Sequence, residues 1–177
     1  SMDTVTTDGT GFYEFDNLPA GDYTVTVDET TLPADVSNTI DPDGTLDNTT
    51  DVSLGAGEMN EDIDFGYEYD GSIGDQLYVD TDGDGMYDPA IDTELGGVDV
   101  ILTYPDGSMD TVTTDGTGFY EFDNLPAGDY TVTVDETTLP SDISNTIDPD
   151  GTLDNTTDVS LGAGEMNEDI DFGYEYD

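Results

Sequence analysis

A near-identical internal repeat constrains the fold of this chain most strongly. Ser1–Asp70 recurs 107 residues later as Ser108–Asp177, and Gly71–Gly107 occurs once. The two copies differ at two positions, where Ala34 becomes Ser141 and Val36 becomes Ile143. Long repeats at a fixed period are typical of chains built from copies of one structural unit. Any fold proposed for one copy must therefore suit the other, and we interpret the chain as a window cut from a longer repetitive protein.

Short alternating segments separated by turns predict strands in both copies. In Tyr23–Val27, aromatic and β-branched residues alternate with threonines, which is a strand signal. The same reasoning predicts strands at Ser1–Thr7, Phe12–Phe15, Thr50–Leu54, Ile63–Tyr69, Asp75–Val79, Val98–Tyr104 and Met109–Thr113, with the remainder repeated in the second copy. We predict an irregular stretch over Asp28–Asn48 and no helix, because no apolar stripe has helical spacing. About seven short strands per unit indicate an all-β, immunoglobulin-like β-sandwich.

One loop in the unrepeated segment has the residue spacing of a calcium loop. Asp80, Asp82 and Asp84 stand at positions 1, 3 and 5, and Gly85 follows at position 6, where the backbone turns sharply. Alternate residues of such a loop point inward, so their carboxylates converge. Calcium takes six to eight oxygen ligands at roughly 2.3–2.6 Å. The spacing therefore predicts a Ca²⁺ site in a loop flanked by strands.

The second half of the loop departs from the usual pattern. Met86 at position 7 offers its backbone carbonyl, and Asp88 stands at position 9. Position 12, which is usually a bidentate glutamate, is Ile91. We expect Asp92, one residue later, to complete the site, with Glu94 as the substitute. A solvated acidic turn is the alternative interpretation.

The position of this loop divides the chain into two predicted domains. Residues 71–177 form a complete repeat with the calcium loop. Residues 1–70 form an incomplete repeat, because they lack the counterparts of the first two strands and of that loop.

Other acidic segments leave two interpretations open. The Asp-Pro-Asp-Gly turns are either simple β-turns or second, weaker calcium sites; they carry Asp41, Asp43 and Asp47 in the first copy and Asp148, Asp150 and Asp154 in the second. Asp75, Asp115 and Asp171 lie near strand ends and are candidates for further sites near unit junctions. Asn48 and Asn155 match the glycosylation pattern, although ordinary turn or strand residues explain them as well.

The composition excludes several classes of function. The chain has 45 Asp and Glu and no Lys, Arg, His or Cys, which gives a net charge of −45. Without these residues it has no disulfide, no thiol nucleophile and none of the usual general bases, so we predict that it is not an enzyme. We expect neither nucleic acid nor anionic membranes as partners, because no side chain carries a positive charge that could meet a phosphate. No stretch reaches the roughly 20 apolar residues of a membrane span, and no signal peptide is evident.

Four motifs together resemble one known family. They are Gly74–Tyr78, the calcium loop, Thr114–Val134 and Asp148–Asp154, followed by the ending Asp171-Phe172-Gly173-Tyr174. This combination resembles the calcium-binding B-type repeats of serine–aspartate-repeat surface adhesins, the SdrD B-like domains. The resemblance implies a prealbumin-like sandwich related to collagen-adhesin B-type domains, with structural calcium. The Lys–Asn isopeptide bond of some related domains is impossible here, because the chain has no lysine.

We therefore expect a structural, calcium-binding tandem repeat of an extracellular stalk, adhesin or filament. Calcium would offset the repulsion among its carboxylates. The expected partners are neighbouring repeats of the same chain or identical chains in a filament, at a cell surface or in a secreted fibre. The alternative is a calcium-dependent binding module for a basic or glycan partner.

Overall fold

The computed structural model describes all residues from Ser1 to Asp177 and is all-β. Its only helical segments are two single 3-10 turns, Glu29–Thr31 and Glu136–Thr138, so none of its helices has the length to cross a membrane. The chain forms two compact units. The first contains Ser1–Leu32 and Asn38–Tyr67, and the second contains Pro33–Ser37 and Glu68–Asp177.

The strands lie as follows along the chain. They are β1 (Gly21–Thr26), β2 (Val36–Ile40), β3 (Thr49–Leu54), β4 (Gly66–Tyr69), β5 (Gly71–Val79), β6 (Thr93–Glu94), β7 (Asp99–Thr103), β8 (Met109–Thr113), β9 (Phe119–Leu125), β10 (Gly128–Val134), β11 (Ile143–Ile147), β12 (Thr156–Leu161), β13 (Met166–Asn167) and β14 (Phe172–Tyr176).

Strand β5 organises one of the two sheets of the second unit. It pairs in parallel with β14 and β13 and in antiparallel fashion with β9 and β6, and β11 extends the sheet beyond β14. The other sheet is antiparallel and has the order β12-β10-β7-β8. Every strand of the first sheet except β11 therefore contacts β5 directly.

The core of the second unit combines alternating side chains of both sheets. From β5 it takes Ile73, Leu77 and Val79, which are almost fully buried. Period-2 alternation turns Tyr78 to the opposite face, where it is also buried and its ring centroid lies 5.1 Å from that of Tyr87. Both faces of β5 are therefore covered, as expected for the central strand of a sheet.

The first copy has fewer strands than its sequence predicts. It contains two two-stranded sheets, β1-β3 and β2-β4. The predictions of strands at Ser1–Thr7 and Phe12–Phe15 are wrong, because neither segment is a strand. Their copies in the second unit are β8 and β9, which pair with β7 and β5. The first copy has no segment equivalent to β5 or β7, so these residues lack a pairing partner.

Two further predictions require correction. The stretch Asp28–Asn48 is not wholly irregular, since it contains β2, and β11 is its counterpart. Neither strand was predicted, because the sequence Ser-Asn-Thr within both has no apolar alternation. Strand β11 forms through its pairing with β14, which has a register shift between Asn145 and Ile147. The strand predicted over Ile63–Tyr69 begins only at Gly66.

Candidate functional site

Three of the predicted ligands converge at the end of the central strand. Carboxylate oxygens of Asp80, Asp82 and Asp84 all lie within 4.8 Å of one another. Asp80 directly follows β5 and is 4% exposed, and its N–H donates to the carbonyl of Tyr174 in β14 (2.7 Å). Asp82 and Asp84 are exposed. The paired sheet thus fixes one carboxylate, and the loop brings the other two to it.

Backbone N–H groups of the loop hold the carboxylate of Asp80 in place. Gly83 N donates to Asp80 Oδ1 at 2.8 Å, and Gly85 N donates to Asp80 Oδ2 at 2.9 Å. Both glycines have positive φ, +71° and +81°. Glycine adopts this conformation without the steric cost that other residues meet. The two glycines therefore allow the tight loop that the spacing predicted.

The remaining predicted ligands lie outside this group of three. Both carboxylate oxygens of Asp92 accept backbone N–H groups, from Thr81 at 2.9 Å and from Asp88 at 2.7 Å. The Asp88 carboxylate accepts from Ala90 N at 2.9 Å. Asp92 is 7% exposed, so these hydrogen bonds connect the two parts of the loop on its buried side. Met86 is exposed and its N–H donates to Asp84.

One carboxylate that lies near the loop was not predicted from the sequence. A Cβ atom placed on Gly83 would lie 3.6 Å from Glu175 Oε1. Glu175 belongs to β14, more than 90 residues later, and no local motif marks it. Only the parallel register of β14 on β5, with Tyr174 opposite Val79, places it beside the loop.

The electrostatics of the cluster favour a bound cation. Partial desolvation raises the pKa of Asp82, and the charges of Asp84, Asp92 and Asp80 raise it further. No side chain of the chain carries a positive charge that could offset this repulsion. Three closely spaced carboxylates are the hard oxygen ligands that Ca²⁺ prefers, so the residues present fit this ion.

A second pair of carboxylates meets between β5 and the segment before β14. Burial raises the pKa of Asp75 to about 7, and the charge and hydrogen bond of Asp171 add to the effect. Asp171 Oδ1 also accepts from Gln76 N at 3.0 Å. Asp115 lies elsewhere, since its carboxylate accepts from Thr117 N (2.8 Å) within its own turn. The structure thus brings together two of the three residues proposed for junction sites.

The proposed glycosylation acceptor of the second copy is buried. Asn155 is 9% exposed, and its Oδ1 accepts from the Tyr174 hydroxyl at 2.8 Å while its Nδ2 donates to Glu136 at 2.8 Å. In the first copy, Asn48 makes the same contacts with Tyr67 and Glu29. Both asparagines therefore connect separate segments by hydrogen bonds, as expected for ordinary turn or strand residues.

Comparisons with known proteins identify the family. A family model described as the SdrD B-like domain matches residues 1–67 and 71–174. The chain is 33% identical over 187 residues to the serine-aspartate repeat-containing protein F of Staphylococcus epidermidis, covering 96% of this chain and 11% of that protein. It is 37% identical over 142 residues to the serine-aspartate repeat-containing protein I of Staphylococcus saprophyticus, covering 72% of this chain and 7% of that protein. The chain thus spans only a small part of these relatives.

A solved structure supports the fold. The Bacillus anthracis TIE protein superposes with a TM-score of 0.51 at 21% identity, covering 96% of this chain and 28% of that one. The family match covers almost the whole sequence, and it agrees with the four motifs and with the β-sandwich of the second unit. The chain belongs to the SdrD B-like domain family.

Proposed function

We propose that this chain is a calcium-stiffened structural segment of an extracellular stalk, adhesin or filament. The observation that carries the proposal is the convergence of Asp80, Asp82 and Asp84 within 4.8 Å at the end of the central strand. Domains of this family are structural parts of surface proteins and not enzymes, which agrees with the prediction from composition.

The three converging aspartates would hold the ion, and Asp88, Asp92 and the carbonyl of Met86 would complete the ligand set. Bound Ca²⁺ supplies positive charge and fixes the positions of its oxygen ligands. Asp92 already accepts N–H groups from both ends of the loop, so it holds the loop closed around the cluster.

The loop affects stiffness because of where it begins. It starts directly after Val79, the last residue of β5, and β5 pairs with β6, β9, β13 and β14. Without a cation, repulsion among the carboxylates opposes the closed loop and loosens the end of β5. With a cation, the attraction of each carboxylate to the ion outweighs this repulsion, and the end of the sheet is held. An exposed rod would also resist trypsin-like proteases, since the chain has no Lys or Arg.

We further propose that residues 1–70 are an incomplete repeat and residues 71–177 a complete one. Equivalent tyrosine contacts support this: Tyr13 donates to Ile63 O and Tyr120 to Ile170 O, both at 2.7 Å. The apolar side chains differ, since Leu18 is 40% exposed and its copy Leu125 only 1%. A strand like β5, from a neighbouring repeat or an identical chain, would cover this surface.

Calcium titration followed by the melting temperature tests the calcium site. A free calcium concentration of about 100 times the Kd would stabilise the folded chain by about 2.7 kcal/mol. Asp82→Asn/Asp84→Asn should abolish this gain, while Asp110→Asn/Asp123→Asn, which removes two exposed carboxylates elsewhere, should keep it. A wild-type melting temperature that does not change with calcium, with no bound ion detected by native mass spectrometry, would refute the proposal.

A further inference from the structure

Two separate stretches of the first copy belong to the second unit. They are Pro33–Ser37, which leads into β2, and Glu68–Asp70, at the end of β4. The chain therefore passes between the two units three times, after Leu32, after Ser37 and after Tyr67. Domains that are joined by a single linker move relative to each other by default. Attachment at more than one point of the chain restricts that motion.

The first of these stretches contacts a turn of the second copy. A Cβ atom placed on Gly164 would lie 3.6 Å from Asp35 Oδ1 and 3.7 Å from Asp35 Cβ. Gly164 belongs to the turn between β12 and β13 and has a φ of +63°. Its copy Gly57 also has a positive φ, +73°, but a Cβ atom placed there would meet nothing within 4 Å. The turn thus has a similar backbone in both copies, and only the second copy has an aspartate packed on it.

The second stretch contributes a tyrosine to the same unit. Tyr69 is 37% exposed, whereas its copy Tyr176 is 65% exposed. Burial is the largest cause of the raised pKa of Tyr130, and the nearby hydroxyl of Tyr69 adds to it. The second copy therefore covers part of Tyr69, and nothing covers Tyr176 to the same extent.

The backbone that carries these side chains has the same form in both copies. Asp70 N donates to Asp35 O at 3.2 Å, and Asp177 N donates to Asp142 O at 3.0 Å. Asp35 and Asp142 both have positive φ, +63° and +66°. Asp35 is half-buried, whereas Asp142 is exposed. We call Asp35 and Tyr69 the junction surface. Its backbone forms without a neighbour, and such preorganisation lowers the entropic cost of docking.

We propose that the junction surface docks one repeat onto the next, and that Asp142 and Tyr176 form the same surface for another copy of the repeat. Its receptor is the turn that carries Gly164, together with Tyr130. The interface is heterologous, because each repeat contributes different residues at its two ends, so it can recur along an array. This inference rests on the structural role proposed above and adds the residues that hold neighbouring repeats.

Spin labels test whether the junction surface fixes the two copies. The chain has no cysteine, so Asp51→Cys/Asp158→Cys places one label on each copy, at equivalent exposed positions of β3 and β12. Double electron–electron resonance gives the distribution of the distance between the labels. Gly164→Asp places a second carboxylate against Asp35 and should broaden this distribution. Gly57→Asp makes the same change on an uncovered turn and should leave the width unchanged. Equal widths in the two variants, in calcium and in chelator, overturn the inference.

Calorimetry of the tyrosine pair gives a second readout. Tyr69→Ser should lower the melting temperature of the second unit more than Tyr176→Ser, because the second copy covers more of Tyr69. Equal shifts in these two variants, with circular dichroism showing folded chains, overturn the inference. A wild-type melting temperature that does not respond to calcium refutes the calcium site and leaves both contrasts in place, so the two proposals fail separately.

Discussion

The two copies allow one mutation to be made twice in almost the same sequence. Leu125 ends β9 opposite Gly71 of β5 and is 1% exposed, whereas its copy Leu18 is 40% exposed. The neighbouring residues are identical for many positions on either side. Effects of the substitution on the unfolded chain therefore cancel between Leu125→Ala and Leu18→Ala, and the difference in stability reports the folded environment alone.

The expected magnitudes differ several-fold. Replacing a fully buried leucine by alanine costs roughly 2–5 kcal/mol, because a cavity is added to the lost transfer free energy. Leu18 is already partly in water and leaves no enclosed cavity, so its replacement should cost about 1 kcal/mol. For a unit of somewhat more than 100 residues, about 1 kcal/mol lowers the melting temperature by about 4 °C. Leu125→Ala should thus lower the melting of the second unit by roughly 8–20 °C.

Differential scanning calorimetry of both variants in calcium measures these shifts. Adding a Gly71–Gly107 peptide to the Leu18→Ala variant tests the proposed completion of the first copy. If such a segment covers Leu18, the peptide should stabilise the wild type more than the variant, and a Leu77→Asp peptide should stabilise neither. Equal losses for Leu125→Ala and Leu18→Ala without peptide would refute the reasoning, because burial against β5 would then not determine the cost.

Two further outcomes are expected. Gly118→Ala should strongly destabilise the second unit, because its Cβ would clash with the carbonyl oxygen of Leu77 at a φ of +78°. Gly11→Ala meets no atom within 4 Å and should cost only the strain of its φ of +82°. Equal losses of stability in urea unfolding would contradict this prediction. Burial and Asp171 raise the pKa of Asp75 to about 7. Above about pH 4 the folded chain therefore keeps a proton that the unfolded chain releases. The free energy of unfolding should fall as the pH rises from about 4 to about 7. Asp75→Asn should flatten the melting temperature between pH 4.5 and 8 relative to the wild type, and parallel curves would contradict the assignment.

The sequence predicted the elements whose side chains alternate strongly. Tyr23–Val27 and Met109–Thr113 appear close to the predicted bounds as β1 and β8. Strand β11 was missed because its pairing partner lies far along the chain and its side chains carry no apolar pattern. The predictions for Ser1–Thr7 and its copy Ser108–Thr114 were necessarily the same, yet only the copy contains a strand, β8. The same residues thus form a strand or not according to the neighbour available, which local sequence does not encode.

In the candidate site, too, local sequence predicts some residues and distant pairing places others. Spacing alone placed Asp80, Asp82 and Asp84 together, because a tight loop with glycines at positive φ leaves few other arrangements. That Asp92 contributes to the calcium site stays a prediction. In the structure its carboxylate accepts the N–H groups of Thr81 and Asp88. Glu175 approaches the loop only through the parallel pairing of β14 with β5, and such pairing across about 95 residues has no sequence signal.

The parallel pairing of β5 with β14 has a mechanical consequence. Tension along the chain pulls the start of β5 one way and the end of β14 the other. Leu77, Tyr78 and Val79 lie opposite Phe172, Gly173 and Tyr174, so these neighbouring strands are loaded along their length. The ladder between them is then sheared as a set and is not peeled one bond at a time. The side chains that must slide past each other are buried, so this direction of loading opposes several hydrogen bonds and buried contacts at the same time.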